Sequence, residues 1–174
     1  MRVAWVVGSA GLLGAAAGAF GAIRTATRLD RLHVRTDAAW AALDAALHRR
    51  ARLAGAVEGS AVEGSAAVRY AAQEAMHAQP SGREELENEL GRVLSTLDRR
   101  LLEPLYADRL ADAQQRVVIA RRVYNDAVRD TVTLRSHRLV RWLRLAGTAP
   151  LPRYFEIAEP VLAGYELELD GAGA

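Results

Sequence analysis

The chain has 174 residues, a formal net charge of +2 and no cysteine. These values exclude a disulfide framework, thiolate catalysis and a cysteine-ligated zinc site. So small a net charge also speaks against the concentrated basic face of a nucleic-acid-binding protein. Lysine is absent, every cationic side chain apart from histidine is arginine, and alanine is abundant. A GC-rich coding bias explains both excesses, so an arginine here is weaker evidence of function than usual. The length suits one domain, and the roughly 150 residues beyond the first apolar segment can bury a core without staples.

From Val3 to Ile23 the chain carries no charge. As a helix this run spans roughly 31 Å, against a hydrocarbon core of about 30 Å. Val3, Val6, Val7, Leu12, Leu13, Phe20 and Ile23 favour insertion by roughly 2 to 4 kcal/mol in sum, and the interspersed glycines oppose it. Arg24, Arg28, Arg31 and Arg35 after the run outnumber Arg2 before it, which places the N-terminus outside and the C-terminal domain in the cytoplasm. A cleaved signal peptide is the competing reading, because Ala15-Ala16-Ala17 and Ala17-Gly18-Ala19 resemble cleavage sites; the charge distribution favours the anchor. Gly11, Gly14, Gly18 and Gly21 fall on one side of the helix, a face against which a second helix, including one from another copy, can pack closely.

Beyond the anchor, Leu29, Leu32, Trp40, Leu43, Leu47, Ala54 and Val57 form an amphipathic stripe. The segment Val57-Glu-Gly-Ser-Ala61 is repeated at once as Val62-Glu-Gly-Ser-Ala66. Gly59 and Gly64 each weaken a helix by about 1 kcal/mol. The preferred expectation is one helix running unbroken to Gln79; the alternative is a break at the repeat. Ser81, with Glu84 three residues on, reads as the capping box of a second helix. That helix carries Leu86, Leu90, Val93, Leu94, Leu97 and Leu101 and stops or kinks at Pro104. Asp108 is the expected cap of a last helix, bearing Leu110, Val117, Tyr124, Val128, Leu139 and Leu143 and reaching about Leu145. Tyr165–Leu169 alternates like a strand without a partner and reads as a disordered acidic tail.

The expected fold class is therefore all-α: an N-terminal transmembrane helix followed by an antiparallel bundle of three long helices, or four if the repeat breaks the first. The anchor occupies 1–28, the bundle 29–147, and a partly disordered tail 148–174.

Several stretches resemble the LemA family. Ala120-Arg-Arg-Val-Tyr-Asn-Asp-Ala-Val-Arg129 resembles its "aRrxYNxaVr" signature, which assigns Arg121, Tyr124, Asn125, Val128 and Arg129 to it. Ala39-Trp40 and Leu47-His-Arg-Arg50, with Leu53 and Val57, resemble its "RRxdLxxxlv" helix, which adds Arg49, Arg50 and Leu53. Tyr154-Phe155-Glu156 resembles its closing "FE". The chain departs from that pattern at Arg52, at Gln114, at Thr131-Val132 and at Arg138-Leu139. The resemblance implies a single-pass anchor and a bundle of long antiparallel helices, and implies no enzymatic activity.

Among candidate sites, Tyr124-Asn125 reads as a packing pair, with the ring buried and the hydroxyl turned to a neighbour. Arg49, Arg50, Arg121 and Arg122 read as surface ion-pair partners of Asp44, Glu58, Asp126 and Asp130, each pair contributing under about 1 kcal/mol. Glu84, Glu85, Glu87 and Glu89 read as cap and solubility. The stretch Arg135 to Arg144 is basic and amphipathic. Its Arg135, Arg138, Arg141, Trp142 and Arg144 suit an anionic membrane surface, a nucleic acid or the acidic tail, although an unbroken first helix would carry Arg144 away from the bilayer. No histidine pair has metal-ligand spacing, and no HExxH, P-loop, GxSxG or GxGxxG context occurs, so no catalytic residue, metal or cofactor is expected. The function expected is a membrane-anchored scaffold that binds other membrane or cytoplasmic proteins, with nucleic acid the less suited partner.

Overall fold

The computed structural model describes residues 2–57, 64–143, 145–147 and 149–158, and for residues 2–17 the helix but not the side chains. The described residues are all-helical, without a strand. The helices are α1 (Arg2–Gly55), α2 (Ser65–Met76), α3 (Arg83–Ser95), α4 (Pro104–Ser136) and α5 (Arg138–Trp142), with a 3-10 turn at Arg99–Leu101. The chain divides into two compact units: Met1–Trp40 with Tyr124–Tyr154, and Ala41–Val123 with Phe155–Ala174.

In the first unit α1 and α4 run antiparallel, since partners rise along one helix as they fall along the other. Arg35 pairs with Asp130, Thr36 meets Thr131, and Trp40 meets Tyr124. Leu29, Leu134 and Val140 make a small core of their own, with Leu32, Leu145 and Ala146 packed on it. The last helix does not run to Leu145. It stops at Ser136, and α5 starts again after His137. This break lets Val140 fold in against Leu29 instead of continuing past it. Gly147, at φ 56, sits in the left-handed region that a side chain disfavours, and the chain turns there.

The second unit is an up-down-up-down arrangement of the end of α1, α2, α3 and the start of α4. The first soluble helix is not unbroken to Gln79: α1 ends at Gly55 and α2 begins at Ser65, after Gly64 at φ 85. The tandem repeat supplies both the weak helix former and the left-handed position that a chain reversal needs. Alanines reward the reversal. Ala51, Ala54, Ala71, Ala72 and Ala75 share one buried cluster with Leu90, Leu94 and Leu97. A Cβ on Gly55 would already lie 3.7 Å from the Cβ of Ala72, so α2 lies close against the end of α1. Residues 58–63, and with them most of the repeat, lie outside the described residues.

Two expected caps and one expected helix end move. Gly82, not Ser81, precedes α3, with no side-chain capping bond. Glu84 instead accepts a hydrogen bond from the Glu156 N–H (2.8 Å), so the carboxylate serves a distant backbone rather than its own helix end. Helix α3 ends at Ser95; Leu97 just beyond it is still buried, whereas Leu101 in the 3-10 turn is exposed. Pro104 opens α4 rather than closing α3, which suits a residue with no N–H to donate in a first turn. Glu103 is the cap in place of Asp108: its carboxylate accepts from the N–H groups of Leu105 (3.1 Å) and Tyr106 (2.8 Å).

The described segment after Tyr154 is neither helix nor strand, with Phe155 and Ile157 buried. Asn88 of α3 accepts from the Ala158 N–H at 2.7 Å. The strand-like Tyr165–Leu169 stretch lies outside the described residues. Among the described residues no helix is long and apolar enough to cross a membrane. Most of the Val3–Ile23 run, residues 3–17 with Gly11 and Gly14, lies outside those with described side chains.

Candidate functional site

In the second unit the charged residues of α1 and α3 form a network centred on Glu87. Position 87 lies three and seven residues before Leu90 and Leu94, on the buried face of α3. Its Oε2 is 2.5 Å from Nη2 of Arg50, and both side chains are 1 % exposed. The same Arg50 nitrogen donates to the Glu87 carbonyl at 3.1 Å. The other carboxylate oxygen faces Arg83 Nε at 3.8 Å. Arg83 in turn pairs with Asp44 at 2.7 Å and approaches His48 Nδ1 at 3.1 Å. Arg50 is thus a buried ion-pair partner and not a surface one, and Glu87 is a core residue rather than a solubilising one. Burial selects this geometry, because an arginine carried inward by the α1 stripe must meet an anion there. Arg49, one position round the helix, stays exposed and faces Asp112 at 3.9 Å. Arg116 holds the Asp112 carboxyl below its usual range through a hydrogen bond.

Leu53 packs half-buried on the alanine-rich cluster, and its carbonyl accepts a hydrogen bond from the Tyr106 hydroxyl. Burial pushes that phenol up to about 12. Gln114 lies on the inner side of α4, 3 % exposed, and neither of its amide atoms has a hydrogen-bond partner among the described residues.

In the first unit, Tyr124 is buried with its ring 5.3 Å from that of Trp40. Its hydroxyl donates to the Arg153 carbonyl at 2.8 Å. Asn125 and Arg121 are half-buried, and Val128 is fully buried. Arg129 pairs with Asp126 on the surface at 2.8 Å. Thr131, fully buried, shares a hydrogen bond with Thr36 at 3.0 Å.

The basic stretch separates by role. Arg135 reaches the carbonyls of Ala149 (2.7 Å) and Pro150 (2.9 Å), tying the segment after α5 to the end of α4. Arg138, Arg141 and Trp142 occupy i, i+3 and i+4 of α5 and are exposed on one side, with Trp142 82 % exposed. Val140 turns inward. Arg144 lies outside the described residues. Beside α5 is a groove of about 580 Å³ floored by Val132, Val140, Ala146 and Leu151, with Arg135 and Arg141 on it. At the other end of the candidate set, Gly18 and Gly21 have open space where a Cβ would stand.

Sequence reasoning missed Glu87, Thr36 and Gln114 as buried polar groups and Tyr106 as a half-buried one. For Glu87 a signal existed, since it stands in register with the leucines of its helix. Among the described residues no group of three or more histidine, aspartate or glutamate side chains could hold a metal ion.

No family model, curated protein or solved structure matches the chain. The likeness to the LemA family therefore rests on the residues of the chain alone.

Proposed function

We propose that the chain is a LemA-like, membrane-tethered helical scaffold that binds other membrane or cytoplasmic proteins and carries no catalytic centre. In this reading residues 3–23 cross the bilayer once, with the N-terminus outside and the bundle in the cytoplasm. The observation that carries it is the continuity of α1, one helix from Arg2 to Gly55. The apolar run and the first bundle helix are thus a single element. The arginines that follow the run support the orientation: Arg24, Arg28 and Arg31 are exposed along α1, as a cytoplasmic flank requires. Thr25 and Thr27 hide their hydroxyls by donating to the carbonyls of Gly21 (2.8 Å) and Ile23 (3.0 Å), which eases their approach to lipid. The open face at Gly18 and Gly21 suits pairing with a second copy or a partner helix.

Crosslinking the full chain in native membranes, with identification of the captured proteins, tests the scaffold. Reproducible capture of the same few chains is the expected result. Recovery of no recurrent partner would count against it. Labelling of cysteines introduced at Arg2 and Arg28, with impermeant reagent from each side, tests the orientation; modification of both from one side refutes a single crossing.

A further inference from the structure

The geometry points to α5 as a second membrane contact, in which Arg138, Arg141 and Trp142 lie on anionic lipid headgroups at the foot of the N-terminal helix. This inference rests on the anchor proposed above and adds a contact that the sequence reading placed far from the bilayer. An unbroken first helix would have carried this segment away. The break after Gly55 removes that objection, and a core contact within the first unit replaces it with a position. Val140 of α5 packs in one cluster with Leu29 of α1, and Leu32 joins them. Leu29 stands six residues beyond Ile23, about 9 Å along a helix. The headgroup zone on each side of a bilayer is about 5 to 8 Å deep. The short helix is therefore held at the water-facing edge of the headgroup zone.

Its chemistry suits that level. Val140 takes the inner side. The outer side presents two arginines, whose guanidinium groups have no ion-pair or hydrogen-bond partner among the described residues, and a large indole, 82 % exposed, that no described residue of the first unit covers. An indole at headgroup level buries part of its ring and keeps its N–H free for phosphate or water. Arginines beside it are drawn to anionic phosphates. Arg135 takes no part, being spent on the carbonyls of Ala149 and Pro150. An acidic protein would satisfy the arginines, but it would not account for the exposed indole next to the end of the anchor.

The absence of cysteine makes a direct test available. The full chain carrying Leu143→Cys keeps all three contact residues and takes an environment-sensitive dye beside them. A second protein with Val34→Cys, exposed on α1 further from Ile23, is the control. Both are reconstituted in phosphatidylcholine vesicles with or without phosphatidylglycerol, containing lipids with a shallow nitroxide, and flotation after an alkaline wash reports the anchor separately. The expected result is blue-shifted, quenched emission at position 143 on phosphatidylglycerol vesicles and aqueous emission at position 34. Arg138→Gln and Arg141→Gln should each weaken the contact about fivefold, the effect of one charge at such a surface, without changing flotation. A chain that floats but keeps position 143 unquenched overturns the proposal and leaves the anchor standing. Equal quenching without phosphatidylglycerol overturns the assignment to anionic headgroups. Shielding of position 143 in detergent, before lipid is present, shows that protein covers this face and also overturns it. A chain that does not float overturns the anchor and this contact together.

Discussion

Arg50 Nη2 stands 2.5 Å from Glu87 Oε2, and each side chain is 1 % exposed. Two long side chains on different helices have given up water for each other. The desolvation of a buried pair can match its Coulombic gain, so the pair fixes which faces of α1 and α3 meet more than it adds net stability. Removing one partner is another matter, because it strands a charge. Arg50→Met alone, or Glu87→Met alone, should cost about 3 to 5 kcal/mol in denaturant unfolding of the full chain in mild detergent. Arg50→Met with Glu87→Met should recover most of that loss. Single substitutions costing under about 1 kcal/mol, the value of a solvated pair, would refute the burial argument.

The same pair shows where the sequence was legible and where it was not. The α1 stripe was readable because Leu29, Leu43 and Leu47 announce the buried face by their spacing, and all three are buried. Arg50 lies on that face too, seven residues beyond Leu43, but an arginine on a periodic face is indistinguishable from a solvated one until its partner is known. Glu87 is separated from it by the α1–α2 turn and the length of α2. No local rule links them. The turn was half legible: the glycine repeat marked a weak point, but whether a helix bends there depends on whether the following segment has a surface to pack on. Ala72 meeting Gly55 is such a surface, and it is a tertiary fact. Caps were misread for a related reason. Glu84 and Ser81 had the right spacing for a local box, and a distant backbone N–H, that of Glu156, took the carboxylate instead. In the basic stretch, composition identified Arg138, Arg141 and Trp142, while the packing of Val140 of the same helix against Leu29 came from the break at His137.

Gln114 offers a simpler measurement. Both of its amide atoms are buried without a hydrogen-bond partner among the described residues, and such a group carries a desolvation cost of about 1 to 3 kcal/mol. Gln114→Met keeps the length and flexibility of the side chain and removes both polar atoms. The variant should be more stable by about 1 kcal/mol, seen as a higher denaturant midpoint with an unchanged slope. A loss of stability would mean that the amide has a partner in solution.

Tyr106 predicts an alkaline dependence. Burial raises the phenol from 10.0 to about 12, so the folded state resists losing the proton more than the unfolded state does. The stabilisation from this group is full below pH 10.0 and disappears as pH rises from there through about 12. The unfolding midpoint should fall across that window, and Tyr106→Phe should flatten the fall. At neutral pH the same substitution should cost only about 0.5 to 1 kcal/mol, because the Leu53 carbonyl also accepts from the Ala56 N–H at 3.1 Å and is not orphaned. An alkaline fall of equal depth in the variant would assign the effect to other groups.

Thr36 and Thr131 form the closest analogue of the ion pair in the first unit, but without charge. Their hydroxyl oxygens are 3.0 Å apart, and each also lies near a helix carbonyl: Leu32 at 2.9 Å for Thr36, and Ala127 at 2.9 Å for Thr131. Each hydroxyl has a single proton. Either Thr131 donates to Ala127 and receives from Thr36, or Thr131 donates to Thr36, which donates to Leu32. In both arrangements the two groups satisfy each other, so the loss of one changes what the other can do. Thr36→Val and Thr131→Val preserve shape and should each cost about 1 kcal/mol. With both valines the site is uniformly apolar, and the double variant should cost no more than one single, a coupling of about 1 kcal/mol in a double-mutant cycle. Strict additivity of the two costs would show that each threonine is satisfied by its own helix alone, and that the bond between α1 and α4 contributes nothing.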